Sequence, residues 1–187
     1  GAFNDVAHKN GVKTGCTYFI DWDASVNSND EPGKTLYELA TPLNTANSYG
    51  DKYKYSRKLI QFLKYYGIDG LCFNPEGTWG YVVYTRFIPF LAECHKIAKE
   101  LNHPFHVDWY AYVSNYGQLS DNGCKLTTNN NNWFHHTETN QPVTDVFFLN
   151  YNWSESGLQQ SVQTAESMGR SSFDVYAGYD MQGRGYG

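Results

Sequence analysis

The sequence predicts an α/β fold, a (β/α)8 TIM-like barrel of which this chain supplies about five to six β/α units. Strand-like and helix-like segments alternate along the chain, which is typical of a parallel sheet covered by helices. The strand-like segments end in polar or aromatic residues, and barrels collect their function at the carboxyl ends of the strands. A length of 187 residues suits one domain, so we treat residues 1–187 as a single, partial barrel domain.

The first part of the chain predicts two helices and two strands. Residues 2–10 form a helix that ends at Gly11, and the strand "VKTGCTYFIDWD" follows. After a polar, loop-like segment to about Gly50, the stretch "KYKYSRKLIQFLKYYG" predicts a helix that ends at Gly67. The inward face of this helix is expected to comprise Tyr55, Leu59, Phe62, Leu63 and Tyr66. The next strand is "IDGLCFNPE".

Residues 81–102 then predict a long amphipathic helix, with Pro89 at a kink or a break. Its inward residues are Phe87, Phe90, Leu91, Cys94, Ile97 and Leu101. The strand "PFHVDWYAYV" follows, and an irregular, Asn-rich region extends to Asn140. The asparagine run at 129–132 predicts a solvated loop. The pattern continues with the strand "TDVFFLNYNW", a helix over 155–168 and the strand "FDVYAGYD".

Composition and charge narrow the range of partners. The net charge is −5 and the basic residues are scattered, so we expect no nucleic-acid partner. No apolar run approaches the length of a membrane span. The four cysteines lack ligand spacing and are expected to be buried free thiols, and the six histidines show no zinc spacing. We therefore expect neither a metal nor another cofactor.

The high aromatic content, 17% of residues, has two interpretations. The aromatic side chains can fill a core and cover the faces of a sheet. They can also bind sugars, because a pyranose ring presents apolar C–H faces that stack on aromatic planes. Composition alone leaves both interpretations open.

A candidate catalytic acid stands in the stretch "LCFNPEGTWG", where Glu76 ends an apolar run. Side chains two residues apart on a strand share a face, so Asn74 and Glu76 point the same way, into the mouth of a barrel. Four other strands place potential donors or acceptors at their ends in the same manner. These are Asp21 and Asp23, then His106, Asp108, Tyr110 and Tyr112, then Asn150, and finally Tyr176 and Asp180. A surface glutamate beside turn residues is the alternative for Glu76.

Glycoside hydrolysis usually requires two carboxylates, whereas here an amide stands beside the acid. One class of reaction needs a single acid, because the 2-acetamido group of an N-acetylglucosamine unit attacks its own anomeric carbon. A neutral amide such as Asn74 can then accept from the acetamide N–H and orient it. The sequence therefore fits a reaction in which the substrate supplies the nucleophile.

Several segments together resemble glycoside hydrolase family 85, the endo-β-N-acetylglucosaminidases. They are "DVAHKNGVKTGCTYF", "LIQFLKYYGIDGLCFNPEG", "HVDWY", "DVFFLNYNW" and "DVYAGYDMQGRG", and they occur in the family's order. The resemblance implies a barrel that cleaves the N,N'-diacetylchitobiose core of N-linked glycans with retention. The partner would be an N-glycan or glycoprotein, met outside the cytoplasm in a bacterium and in the cytosol of a eukaryote.

The resemblance also implies roles for individual residues. Glu76 corresponds to the general acid/base, Asn74 to the residue that orients the acetamide, and Tyr110 to a hydrogen-bonding partner near the reacting sugar. The expected sugar-binding residues are Trp153, Asn150, Asp180, Trp109 and Trp22. A structural role in the strand-to-loop turn is the alternative for Asp180.

The chain departs from the family pattern at two places. The family usually continues Trp-Tyr-Asp-Ser, whereas this chain has Ala111 and Tyr112 after Trp109 and Tyr110. A downstream "WQN" segment has no clear counterpart, with Trp133 a doubtful substitute. Two other functions therefore stay open: a glycosidase that pairs Asp108 with Glu76, and a catalytically silent glycan-binding module.

Overall fold

The computed structural model describes residues 1–20, 38–76, 81–117 and 123–180, and its main feature is a five-stranded parallel sheet. The strands are β1 (Gly15–Ile20), β2 (Gly70–Pro75), β3 (His106–Tyr110), β4 (His135–His136), β5 (Gln141–Pro142), β6 (Val146–Leu149) and β7 (Val175–Ala177). The sheet has the order β1-β2-β3-β6-β7, the order of the chain, while β4 and β5 form a separate antiparallel hairpin. The α/β class and the parallel sheet predicted from the sequence are confirmed. Closure of the sheet into a barrel stays a prediction.

Four helices connect and cover the strands among the described residues. They are α1 (Ala2–Lys9), α2 (Ser56–Tyr66), α3 (Tyr81–Glu100) and α4 (Glu155–Ser167). Gly67 ends α2 in the left-handed conformation, with φ of 65°, as its position in the sequence predicts. Ser154 caps α4 by accepting a hydrogen bond from the backbone N–H of Gly157. None of these helices combines the length and apolar character that crossing a bilayer requires.

The hydrophobic core lies between the sheet and the helices, on one face of the sheet only. Alternate residues of β2, β3 and β6 point into it and are buried: Leu71, Phe73, Val107, Trp109, Phe147 and Leu149. From α3, Phe87, Phe90, Leu91, Cys94 and Ile97 meet them with no exposed surface, which confirms the predicted inward face. The helix continues through Pro89 without the predicted break. All four cysteines are free thiols as predicted, but Cys94 is buried whereas Cys16, Cys72 and Cys124 are partly exposed.

The buried face of α2 differs from the sequence-based expectation. The structure buries Ser56, Ile60 and Leu63, whereas Phe62 and Tyr66 are about half exposed and contact each other on the outside. Glu93 of α3 explains the difference. Its carboxylate accepts from the Ser56 hydroxyl at 2.6 Å and from two backbone N–H groups that precede α2. This anchor turns the Ser56 side of the helix toward α3.

A buried carboxylate attaches α1 and β1 to the start of β2. Asp69 is 6% exposed and accepts a hydrogen bond of 2.6 Å from the backbone N–H of Thr14. The Nε2 atom of His8 lies 2.7 Å from the same carboxylate. Burial raises the pKa of Asp69, but the hydrogen bonds from Thr14 and His8 outweigh that effect and lower it. Asp69 therefore keeps its charge at the amino-terminal edge of the sheet.

The asparagine run at 129–132 is not a solvated loop. Asn130 is fully buried and Asn131 is 7% exposed, because their side chains hydrogen bond to neighbouring backbone and side-chain groups. The Asn130 amide donates to the carbonyl of Lys125 at 3.0 Å, and its oxygen accepts from the backbone N–H of Thr127. These bonds satisfy the buried amides and hold a short 3-10 helix, Asn131–Trp133. Polarity predicted solvent exposure here, but hydrogen bonding determines the outcome.

Arg170, which follows α4, joins three parts of the chain through its guanidinium group. It donates to the carbonyls of Phe134 at 2.8 Å, Thr144 at 3.0 Å and Asp145 at 3.0 Å. It also lies 3.8 Å from the centre of the Phe134 ring and 3.3 Å from the Asp174 carboxylate. The side chain is only 10% exposed. It therefore supplies a donor to each of these three carbonyls, of which that of Phe134 also accepts from the backbone N–H of Val143 at 3.1 Å.

We predict that Arg170→Met lowers the free energy of unfolding by about 2–4 kcal/mol, because it removes a largely buried, charged donor that three backbone carbonyls and the Asp174 carboxylate share. Chemical denaturation measures the change. Lys13→Met is the matched control, since Lys13 is exposed. Equal stability of the two variants would show that Arg170 does not hold these segments together.

Candidate active site

The register of the sheet brings the candidate catalytic residues to one level on the face opposite the core. Phe73 pairs with Trp109, and Tyr110 pairs with Phe148, so Asn74, Tyr110 and Phe148 form one row across three strands. Because side chains alternate, Glu76 belongs to the next row toward the carboxyl edge. The structure thus brings together Asn74, Glu76 and Tyr110, the three residues predicted to be catalytic.

Asn74 presents a polar atom that lacks a partner within the described parts of the chain. Its Oδ1 atom is buried and receives no hydrogen bond from any described residue. Buried amide oxygens are almost always hydrogen bonded, so an orphaned acceptor at the end of a strand indicates a place for a ligand donor. The arrangement fits the N–H of an acetamido group.

Tyr110 is a buried phenol that stays protonated. Its ring is 8% exposed and lies between Phe148, at a centroid distance of 5.9 Å, and Tyr112, at 5.7 Å. Burial raises the pKa of Tyr110, and the nearby Glu76 carboxylate raises it further. The phenol is consequently a hydrogen-bond donor at neutral pH, and its hydroxyl lies within the electrostatic influence of the candidate acid.

Asp108 lies deeper in the sheet than Glu76. It pairs in register with Cys72, which is four residues before Glu76, so the two backbone positions are about 13 Å apart along the strands. The carboxyl groups of retaining glycosidases are about 5–5.5 Å apart, and those of inverting enzymes about 6.5–9.5 Å. The register therefore argues against a catalytic pair of Asp108 and Glu76. Instead, Asp108 lies 2.8 Å from the Nε2 atom of His106.

The predicted sugar-binding residues have different positions. Asn150 is 7% exposed, and its side-chain oxygen accepts from the backbone N–H of Tyr151 at 2.7 Å. Trp153 is 38% exposed, and its indole N–H donates to the carbonyl of Gly178 at 2.8 Å. This bond holds the ring beside the end of β7 and leaves part of it open for stacking. Asp180 is exposed beyond β7, and Trp22 lies outside the described residues.

Trp109 requires a correction, because the structure places it in the core. It has no exposed surface and stacks on Trp133 with centroids 4.3 Å apart and planes inclined by 10°. Trp109 falls between Asp108 and Tyr110, so strand alternation turns it toward the helices. It cannot contact a sugar on the opposite face. Trp133 also has no exposed surface and therefore cannot contact a sugar there.

Of three further residues near Tyr110, the sequence predicts the shared face of Tyr112 but gives no place in the site to Tyr151 and Cys124. Tyr112, Tyr151 and Cys124 all act electrostatically on Tyr110 and raise its pKa, after burial and Glu76. Tyr112 lies two residues beyond Tyr110, and its ring stacks on the Tyr110 ring, in keeping with the predicted shared face. Cys124 carries no such signal, because it follows an irregular segment. In the described parts of the chain, no group of three His, Cys, Asp or Glu residues could hold a metal ion.

Comparison with known proteins gives a consistent result. The family model described as Glycosyl hydrolase family 85 matches residues 2–187. The chain is 29% identical to "Cytosolic endo-beta-N-acetylglucosaminidase 1" of Arabidopsis thaliana, over 98% of this chain and 23% of that protein. It is 27% identical to the human "Cytosolic endo-beta-N-acetylglucosaminidase", over 98% of this chain and 22% of that protein. The chain thus spans less than a quarter of the length of these relatives.

A solved structure is similar over nearly the whole chain. It is the glycoside hydrolase domain of Spr0440, Endo-D from Streptococcus pneumoniae R6, with a TM-score of 0.77 and 25% sequence identity. The similarity covers 96% of this chain and 27% of the solved chain. The parallel sheet and its covering helices are therefore the arrangement found in part of that domain.

We predict that Asp108→Asn stabilises the protein at pH 7 relative to the parent. Burial raises the pKa of Asp108, although the neighbouring His106 partly opposes that effect. A raised folded-state pKa favours folding at low pH, and this contribution is lost as the pH rises from about 4, the ordinary value for Asp, through the folded-state pKa. Denaturation from pH 4 to pH 7 should show a growing advantage for the variant. Asp5→Asn, at an exposed helix position, is the matched control; a constant difference for Asp108→Asn would contradict the prediction.

Proposed function

The chain belongs to glycosyl hydrolase family 85, and from that membership we propose that the protein is an endo-β-N-acetylglucosaminidase. Its substrate would be an N-linked glycan or glycoprotein, cleaved between the two N-acetylglucosamine residues of the chitobiose core. We further propose that the five-stranded sheet is part of a (β/α)8 barrel, with the site at the carboxyl ends of its strands.

We propose a substrate-assisted mechanism, and the buried oxygen of Asn74 is the observation that carries it. That oxygen would accept from the acetamide N–H and direct the acetamide carbonyl toward the anomeric carbon. As the carbonyl oxygen bonds to the anomeric carbon, the glycosidic C–O bond breaks and Glu76 gives its proton to the leaving oxygen. The sugar is then an oxazolinium ion, whose positive charge the Asn74 carbonyl dipole also stabilises.

Hydrolysis completes the cycle with retention of configuration. Glu76, now a carboxylate, takes a proton from a water molecule that attacks the anomeric carbon, and the oxazolinium ring opens to restore the acetamido group. We propose that Tyr110 donates a hydrogen bond near the reacting sugar, and the raised pKa of its phenol, which keeps the hydroxyl protonated, supports this role. Trp153, Asn150, Asp180 and Trp22 are proposed to contact the glycan around this centre.

The alternatives differ from this proposal in testable ways. A pair of Asp108 and Glu76 would require a separation that the sheet register does not favour. A silent glycan-binding module would need no half-buried acid beside an orphaned amide oxygen. For the compartment, we propose the cytosol in a eukaryotic host, where the similar plant and human proteins are named cytosolic. In a bacterial host we propose a site outside the cytoplasm.

We predict that Glu76→Gln in the full-length protein lowers the rate of glycan release by about 10²–10⁴, the usual contribution of a general acid. Mass spectrometry of a high-mannose glycoprotein measures the rate, because cleavage leaves one N-acetylglucosamine on asparagine. Asp108→Asn is the control and should retain most of the rate. An equal loss in both variants would favour the two-carboxylate mechanism. Glycan binding without cleavage by the parent would favour a binding module.

We predict that Asn74→Ala slows hydrolysis of the glycoprotein while the site still accepts a preformed sugar oxazoline. The variant loses the group that orients the acetamide, and an oxazoline already contains the ring that this orientation produces. Competition of the oxazoline with glycan binding measures occupancy, and mass spectrometry measures hydrolysis. If Asn74→Ala hydrolyses the glycoprotein at the parent rate, the substrate-assisted assignment is wrong.

A further inference from the structure

We propose that Tyr112 is a positioning residue that holds the phenol ring of Tyr110 in its donating orientation. The inference rests on the proposed function, in which Tyr110 donates a hydrogen bond near the reacting sugar. Family 85 resemblance assigns no role to Tyr112, since the chain departs from the family pattern at Ala111 and Tyr112. The residue is therefore a feature of this chain.

The first observation is the geometry of the two phenol rings. Their centroids are 5.7 Å apart and their planes are inclined by only 6°, so the rings are parallel. At that distance parallel aromatic rings attract each other in an offset stack. The other neighbour of the Tyr110 ring is Phe148, tilted by 42° at 5.9 Å. Tyr110 is consequently held between a tilted ring on β6 and a parallel ring two residues further along its own chain.

The second observation is that the backbone at Tyr112 is itself fixed. Gly123 has a φ of +70°, and a Cβ atom on it would lie 3.2 Å from the backbone of Ala111 and Tyr112. Only a residue without a side chain allows so close a passage in this conformation. The carbonyl of Gly123 accepts a hydrogen bond of 2.7 Å from the backbone N–H of Asn150. The segment after β3 is thus packed against a loop that is tied to the end of β6.

The third observation is the position of Tyr110 at the end of its strand. It is the last residue of β3, and the backbone N–H of the next residue, Ala111, donates a hydrogen bond of 2.8 Å to the carbonyl of Phe148. Loss of the Tyr112 ring would open one face of the Tyr110 ring to solvent. The ring could then rotate away, and small misplacements of a reacting group cost up to about 10² in rate.

The test compares Tyr112→Phe, which keeps the ring, with Tyr112→Ser, which removes it, in the full-length protein. We expect Tyr112→Ser to lower kcat by about 10–100-fold with little change in KM, and Tyr112→Phe to restore kcat to within about threefold of the parent. Tyr65→Ser, at a position 82% exposed on α2, is the control. Full activity of Tyr112→Ser, or an equal loss in Tyr112→Phe, would overturn the proposal.

A second measurement separates this proposal from the proposed function. With 3-fluorotyrosine at position 110, the ¹⁹F chemical shift and linewidth report whether the ring keeps one environment or exchanges between environments. We expect one orientation in the parent and in Tyr112→Phe, and exchange between two in Tyr112→Ser. Identical spectra in all three proteins would overturn the positioning role. If the parent released no glycan, the proposed function would fail, and the NMR comparison alone would decide the role of Tyr112.

Discussion

The parallel register of β2, β3 and β6 is the constraint on which the rest of the structure depends. Once Phe73, Trp109 and Phe147 are aligned and covered by α3, the alternate residues must occupy the opposite face at matching levels. Hydrophobic burial on one face thereby aligns polar groups on the other. A shift of one residue in any of these strands would bury the site residues and expose the core.

Polar groups secure the segment between β3 and β6, where apolar burial alone would not. The side chains of Asn130 and Asn131 hydrogen bond to neighbouring groups inside a loop. The same loop places Trp133 in the core, where it stacks on Trp109. Arg170 then joins the carbonyls of this loop to the segment before β6. Such groups are costly to bury without partners, so the hydrogen bonds of Asn130, Asn131 and Arg170 favour one arrangement of the insertion. The site depends on it because the same insertion contains Gly123, which packs against the backbone of Ala111 and Tyr112, and Cys124, which acts electrostatically on Tyr110.

Periodicity predicted the sheet, the inward face of α3 and the shared face of Asn74 and Glu76, because each depends on which side of one element is apolar. The failures have a different origin. The buried face of α2 is set by Glu93, 37 residues beyond Ser56. The burial of Asn130 is set by hydrogen bonds with the backbone of Lys125 and Thr127 and, 19 residues earlier in the chain, of Ala111. The sugar-binding role of Trp109 is wrong because it rests on the family resemblance, whereas strand alternation puts Trp109 on the opposite face from Asp108 and Tyr110. Neighbours that are remote in the sequence cannot be read from a local pattern.

The amide at Asn74 suits its position better than a carboxylate would. Its Oδ1 atom is buried, and burying an ionised carboxylate without a partner costs far more free energy than burying a neutral amide oxygen. Asp108 shows the cost on the same face, since burial raises its pKa even with His106 beside it. A second acid two residues before Glu76 would meet the same penalty without a histidine. An amide remains an acceptor at every pH, so a mechanism that draws its nucleophile from the substrate needs no second carboxylate beside Glu76.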